Sequence, residues 1–519
     1  MSSWRRGGRI AVVRFDDAPV PLEVPAAELT ASEPERPHAT VIAPRLLSAP
    51  APAPTTGPAR TAAPAPAPLP MTRSGPALVG TYESRLASLT LEAMRLGVVP
   101  ATDLSAYTVG RDVEVALVDA DLREADERGG SVRAFLGDYG VGKTHLLELC
   151  QERALAQGFL TARATLDPLE TSPSHPKRVY RALVRSLRYP DRPAEEGAGL
   201  GPLLGRAAES PAALALLGLE PRSKGASLDA QLSDGLHLYL SAAVAYTRSL
   251  QRAKGHSAAF IDRCADLLGD WIEGHPTISN QAIDADLSHL RGWHPKVYSL
   301  LDYRPWSRIY GYLLSGLSAL ARASGYRGLC LVLDEAEFYN LLSRENRAYA
   351  SHLFKSWTLA ALGGTAAGKG AAPLEELPFD AKEIDIGGYG VQQRLPGRYG
   401  THPGLYVVFA MTPSPDGVAA LGGAVPASRV HTLAPFESRS YLALAGRVCD
   451  FYVSARPDWS LPGKIVEPLG KVLAGLLGAG FVTNPRQAMK VIIEFLDIVR
   501  LYPTEVPGVI RALQAQLTW

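Results

Sequence analysis

The stretch Gly137-Asp138-Tyr139-Gly140-Val141-Gly142-Lys143-Thr144 matches G-x-x-x-x-G-K-[ST] in full, and it constrains the chain more than any other feature. The spacing follows from what such a loop must do. Successive backbone N–H groups turn inward to hold phosphate oxygens, and side chains at Gly137, Gly140 and Gly142 would block that approach. Lys143 supplies a point charge, and Thr144 offers a hydroxyl to Mg²⁺. The helix that opens at this point adds its positive N-terminal end, with His145 as its next residue. Ser131–Leu136 reads as a short strand before the loop, and His145–Cys150 continues as a helix that ends near Gly158. A loop of this composition between a strand and a helix points to a nucleotide phosphate and to an α/β fold.

A second segment carries the matching chemistry. Gly328-Leu329-Cys330-Leu331-Val332-Leu333-Asp334-Glu335 is an apolar run that ends in two carboxylates. Such a run suits a central parallel strand covered on both faces. It has the Walker B pattern, in which Asp334 holds Mg²⁺ and Glu335, one residue on, orients and polarises a water. Adjacent Asp-Glu resembles the additional-catalytic-glutamate (ASCE) class of P-loop ATPases. In that class an extra strand separates the P-loop strand from the Walker B strand. Leu405–Thr412 is the candidate for that strand, and its polar end places Thr412, or alternatively Ser414, near the γ-phosphate.

Composition bounds the rest. The 519 residues suffice for two or three compact domains, and 46% hydrophobic content sustains a sizeable core. A formal net charge of +1 argues against a uniformly basic nucleic-acid coat. Cys150, Cys264, Cys330 and Cys449 form no C-x-x-C pair and read as reduced small hydrophobes of a cytosolic protein. Arg5 and Arg6 precede only Ile10–Val13 before Arg14 intervenes, too short for a secretory leader. No apolar run reaches the roughly 18 residues of a membrane span.

Residues 1–80 hold 15 of the 41 prolines, with Ala-Pro repeats from Ala49 to Pro70. Proline at this density favours extended, solvated chain, so a disordered Pro/Ala-rich tail is expected there. Within it, Arg9–Phe15 has the pattern of a lone strand or a docking peptide. Residues 81–435 are expected to form the ATPase core, with a Leu/Ala-rich helical insertion over about 190–300, and residues 436–519 a helical lid. Residues 176–189 read as an amphipathic helix. Tyr180, Leu183, Val184 and Leu187 share its apolar face, and Lys177, Arg181, Arg185 and Arg188 its basic one. That stripe is either a solvated face or a contact for phosphate or an acidic partner.

Three further elements resemble parts of AAA+ proteins. Ala427-Ser428-Arg429-Val430-His431-Thr432-Leu433 is similar to the Ser-Arg element of the origin-recognition type, which implies Arg429 as an arginine finger toward a neighbouring subunit. Asn484-Pro485-Arg486 opens a helix over Gln487–Val499, and Arg486 resembles the sensor 2 arginine of AAA+ lids. Val109-Gly110-Arg111, about 30 residues before the P-loop, is similar to the short element that touches adenine.

Taken with Thr108–Asp112, Leu166-Asp167, Lys177–Tyr180, Gly325–Leu329 and Leu333-Asp334-Glu335-Ala336-Glu337, these motifs resemble the ATP-binding family of BREX (bacteriophage exclusion) systems, in its BrxD-like form. The Gly-Asp-Tyr-Gly form of the P-loop and the Asp-Glu-Ala-Glu box carry the resemblance most specifically. It spans roughly residues 82–500 and leaves out the Pro-rich tail. The resemblance implies an AAA+-like ATPase of the bacterial cytoplasm acting in antiviral defence, with ATP and Mg²⁺ as ligands. It further implies a superfamily 2 helicase as partner; Arg429 acting across a subunit interface implies a homo-oligomer, and contact with double-stranded DNA stays open. Two other functions stay open at this level: an ATP-gated switch with little turnover, and a DNA loader that uses the Lys177–Arg188 face or the lid.

Overall fold

The computed structural model describes residues 10–13 and 22–25 and, from 84 to 516, all but 101–103, 193–198, 220–227, 254, 276–282, 284–286, 288–289, 291–293, 364–391 and 393–394. The chain divides into two compact units, Met1–Pro66 and Ala67–Trp519. In the first unit, strand β1 (Ile10–Val13) pairs antiparallel with β2 (Leu22–Pro25). The expected lone strand therefore has a partner. Pro25 sits opposite Ile10 at the end of a two-stranded ribbon, an edge position that tolerates proline. The remainder of the Pro/Ala-rich tail lies outside the described residues.

The second unit is α/β, built on a five-stranded sheet of order β4-β5-β6-β3-β7 in which every pairing is parallel. Its strands are β3 (Gly130–Leu136), β4 (Leu160–Thr165), β5 (Leu329–Asp334), β6 (Leu405–Met411) and β7 (Val430–Thr432). The strand proposed to separate the P-loop and Walker B strands, β6, lies between β3 and β5.

Side chains along these strands alternate between two apolar layers. Val132, Leu331 and Val407 face one layer, and Phe135, Cys330 and Val408 face the other. All of them are buried, which is why β5 and β6 read as continuous apolar runs rather than as alternating ones, while β3 is interrupted by Ser131 and Arg133, which bond Asp121. Helices Ser307–Ala323 and Arg344–Leu362 cover the side of the first layer, and helices Gly201–Glu209, Leu240–Gln251 and Ala258–Ile272 extend the same apolar layer outward. The P-loop helix Lys143–Ala156 and helix Asp112–Arg128 cover the other side.

Four helices close the chain: Ser438–Ala455, Val466–Gly478, Pro485–Leu501 and Val506–Gln516. They share the second apolar layer with the sheet through residues such as Leu444, Val448 and Ile492. Helix Ser84–Leu96 packs against Ser438–Ala455 and Pro485–Leu501. It thus sits with the C-terminal helices, although its place in the sequence puts it with the core. Among the described residues, no helix is long and apolar enough to cross a membrane.

The basic stripe differs from its expectation. The helix spans Pro176–Arg185 and stops four residues early. The hydroxyl of Ser186 donates toward Leu183 O (2.8 Å) and Arg163 O (2.7 Å). The backbone of Arg188 then pairs with Thr161 at the sheet edge. Lys177 is buried, its ammonium 3.4 Å from His275 O, and Arg188 lies 3.6 Å from Glu148. Lys177, Arg181, Arg185 and Arg188 therefore do not form one continuous solvated face.

Candidate active site

The P-loop follows β3, whose last residue, Leu136, is buried. Gly140 and Gly142 take φ of +83° and +99°, in the left-handed region that a side chain opposes. A Cβ on Gly140 would also collide with Asn484, at 2.7 Å, so the loop tip is packed against the cap of helix Pro485–Leu501. Nothing lies within 4 Å of a Cβ built on Gly142, where the loop opens toward solvent. Asn484 Oδ1 accepts from Gln487 N at 3.0 Å, and this cap satisfies an end of the helix that the loop touches.

Lys143 is buried, and its ammonium donates to Gly137 O (2.9 Å), Asp138 O (3.4 Å) and Thr412 Oγ1 (2.7 Å). Thr412 in turn donates to Glu337 Oε1, and Glu337 lies 4.0 Å from the ammonium. Of the two polar residues at the end of β6, it is thus Thr412 that meets the P-loop lysine. Ser414 instead caps helix Pro415–Gly422 and accepts from Asn340 at 2.7 Å.

Thr144 Oγ1 lies 3.3 Å from Asp334 Oδ2. Asp334 is 2% exposed, and among the described residues its cationic partner is Arg163, at 2.6 Å. A hydroxyl and a buried carboxylate oxygen at this separation are the hard donors that Mg²⁺ takes, with waters completing its shell. The residues therefore fit a divalent cation.

Glu335 has φ 58° and ψ 35°, and it is the one non-glycine residue with positive φ among those described. The apolar strand β5 stops abruptly here, and the left-handed turn sends the Glu335 side chain to the cavity rather than along the sheet. Burial holds the Glu335 carboxyl above the usual carboxylate range, and the nearby Glu337 and Asp334 carboxylates add to the effect. A carboxylate of raised proton affinity is suited to accept a proton from water.

Of these groups, Gly140, Gly142, Lys143, Thr144 and Glu335 border one cavity of about 310 Å³, while Gly137, Asp334 and Thr412 lie behind that lining. Tyr139, Val141, Lys143, Thr144 and Glu335 line its polar end. Val99, Pro100, Tyr107, Val109, Leu444 and Met489 line an apolar end suited to a flat base. Arg111 also lines it, donating to Val141 O (2.5 Å) and Ala434 O (3.2 Å), so it ties the P-loop to the start of the C-terminal helices. Gly110, with φ +65°, turns the chain between Val109 and Arg111. His145 bonds Thr108 through Nε2 at 2.8 Å, and burial together with Arg111 lowers its pKa to about 4. Arg486 lines the cavity from the first turn of its helix, with its stem over Gly97. Asp138 contributes its carbonyl to Lys143 and is not among the lining side chains.

Arg429 is not brought to this cavity. Its guanidinium pairs with Asp121 (2.9 Å) and Glu124 (2.6 Å) on helix Asp112–Arg128. Asp121 is 1% exposed and also takes two bonds from Arg133, at 2.6 and 2.7 Å, and one from Tyr406, at 3.0 Å. Arg429 is thus part of the shell that neutralises a buried carboxylate. Residues outside the sequence-derived site also touch it, among them Arg163 at Asp334, Glu337 at Thr412, and the cavity-lining Tyr107, Leu444 and Met489. Arg163 carries one signal in sequence, as a charge inside an otherwise apolar and small strand, Leu160–Thr165.

Residues 83–206 match the model of a family described as BREX system ATP-binding protein BrxC/D. That segment runs from helix Ser84–Leu96 through the P-loop to helix Gly201–Glu209. Over that segment the resemblance read from the motifs is shown, to ATP-binding proteins of the BREX system; the Asp334–Glu337 box lies beyond it. A comparison with curated proteins finds no match to the chain.

Proposed function

We propose that this chain, related through residues 83–206 to the BREX ATP-binding proteins, is a Mg²⁺-dependent ATPase that cleaves ATP to ADP and phosphate. One observation carries the reading. Lys143, Thr144 and Glu335 border the same cavity, with Asp334 directly beneath Thr144, although β5 lies nearly two hundred residues from the P-loop in sequence. In this reading the loop amides and Lys143 bind the phosphates, and the ammonium exchanges Gly137 O and Thr412 for phosphate oxygens. Thr144 and Asp334 hold Mg²⁺, which neutralises phosphate charge when bound. Glu335 orients a water and takes its proton, and Arg486 links the lid to the nucleotide.

The AAA+-like (ASCE) assignment belongs to the same proposal. It is supported by β6 lying between β3 and β5 and by the packing of helix Pro485–Leu501 on the P-loop. A superfamily 2 helicase partner, action on double-stranded DNA and a bacterial cytoplasmic setting complete the proposal on family likeness, and a homo-oligomer on Arg429 as an arginine finger. The test is ATP hydrolysis by the purified chain with and without double-stranded DNA. Turnover raised by DNA supports a DNA-responsive ATPase.

The second reading is an ATP-gated switch. The contacts of Lys143 with Gly137 O and Thr412 favour it, because they must break before the lysine meets phosphate. Tight ATP binding with negligible turnover in every condition would select the switch.

A further inference from the structure

Arg163 bridges two carboxylates with separate nitrogens. Nη2 lies 2.6 Å from Asp334 Oδ2, and Nη1 bonds Glu148 Oε1. The Asp334 oxygen it takes is the one that also meets Thr144 Oγ1, at 3.3 Å. A guanidinium and a divalent cation thus have a claim on the same atom. Mg²⁺ demands near-ideal octahedral geometry at about 2.1 Å from each oxygen, and a second cation on the same oxygen opposes it.

The surroundings give Arg163 somewhere to go. Glu148 Oε2 is buried with no hydrogen-bond partner and has Arg188 at 3.6 Å. Arg163 Nε is likewise buried without a partner, so the planar fork is incompletely used where it stands. A turn of the guanidinium onto both oxygens of Glu148 would give the bidentate arrangement that arginine favours. The backbone would stay in place, because Ser186 holds Arg163 N (2.8 Å) and Arg163 O (2.7 Å) beside β4.

We infer that Arg163 is a positioning residue that competes with the divalent cation for Asp334 Oδ2, and that Glu148 is the carboxylate that keeps it when it yields. The inference rests on the reading of Asp334 as a metal ligand. It sets the strength with which nucleotide binding depends on Mg²⁺.

The experiment measures binding of a fluorescent, non-hydrolysable ATP analogue to the full chain in Mg²⁺ and in EDTA. The readout is the ratio of the two affinities, with thermal melting as the check of folding. Arg163→Gln removes the competitor, and the Mg²⁺ enhancement rises by about fivefold or more over the native ratio. Glu148→Gln removes the alternative partner, Arg163 stays on Asp334, and the enhancement falls. A ratio in Arg163→Gln equal to or below the native one overturns the inference. Should that variant not fold, Glu148→Gln decides alone, and an unchanged or raised ratio overturns it. A native protein whose affinity ignores Mg²⁺ removes instead the assignment of Asp334 on which the inference stands.

Discussion

The ammonium of Lys143 donates to the hydroxyl of Thr412 at 2.7 Å, and that hydroxyl donates onward to Glu337. The pair joins the P-loop to the end of β6, and the onward bond reaches the turn after β5, so three strand ends meet through one side chain. Lys143→Ala is expected to abolish nucleotide binding, measured by fluorescence titration. Thr412→Val keeps the volume and removes the hydroxyl. Turnover is expected to fall by about ten- to a hundredfold, the range for losing a hydrogen bond to a charged phosphate oxygen, which the hydroxyl is free to make once Lys143 leaves it. Affinity is expected to change less than turnover does, and an unaltered rate would remove Thr412 from the machinery.

Arg429 shares a buried anion with Arg133. Arg429→Ala leaves Asp121, which is 1% exposed, with one arginine in place of two. Unfolding stability is expected to drop by about 2 kcal/mol, less than the 3 or more that follows when a buried charge loses its sole partner. Chemical denaturation measures this. A variant that unfolds like the native protein yet loses turnover only when assembled would give Arg429 the role across a subunit interface.

His237 makes stability depend on pH. Its Nδ1 accepts from the backbone N–H of Tyr239 (3.2 Å) and Leu240 (3.1 Å), so the folded state needs that nitrogen unprotonated. Burial lowers its pKa to about 3 from an ordinary 6.5. Between those values the unfolded chain binds more protons than the folded one, so stability is present above 6.5 and is lost as pH falls. The slope from this group approaches about 1.4 kcal/mol per pH unit. Melting temperatures at pH 7 and pH 5 check it, and His237→Gln is expected to flatten the difference.

Lys177 and Arg185 separate under charge reversal. Lys177 is buried, and burial lowers the proton affinity of its ammonium, whereas Arg185 is exposed. Lys177→Glu is expected to cost about 2 kcal/mol or more of stability, and Arg185→Glu less than about 0.5. Thermal melts of the two variants measure the contrast. Equal melting temperatures would restore the continuous basic face.

What could be read in advance was local. The P-loop, the Asp334-Glu335 pair and the apolar runs of β5 and β6 announce themselves within a few residues, because backbone chirality and strand burial act at that range. The position of β6 followed from the neighbouring carboxylates at the end of β5. What could not be read depends on register and on distant partners. Arg163 meets Asp334 only because β4 lies beside β5 with Thr165 opposite Asp334. Arg429 finds Asp121 across some three hundred residues. The helix from Pro176 ends early because Ser186 is claimed by β4, a contact that no helical periodicity encodes. Helix Ser84–Leu96 joins the C-terminal helices through an apolar face whose partner the sequence does not name.

The central claim is that Glu335 acts on water at a nucleotide held by the P-loop. The most direct measurement compares ATP binding and ATP hydrolysis in the native chain and in Glu335→Gln. Glutamine keeps the shape and cannot accept the proton. Binding is expected to stay within about threefold of native, while turnover falls by a hundredfold or more, about the contribution of a general base. Normal turnover in Glu335→Gln would contradict the account and move the catalytic base elsewhere in the cavity.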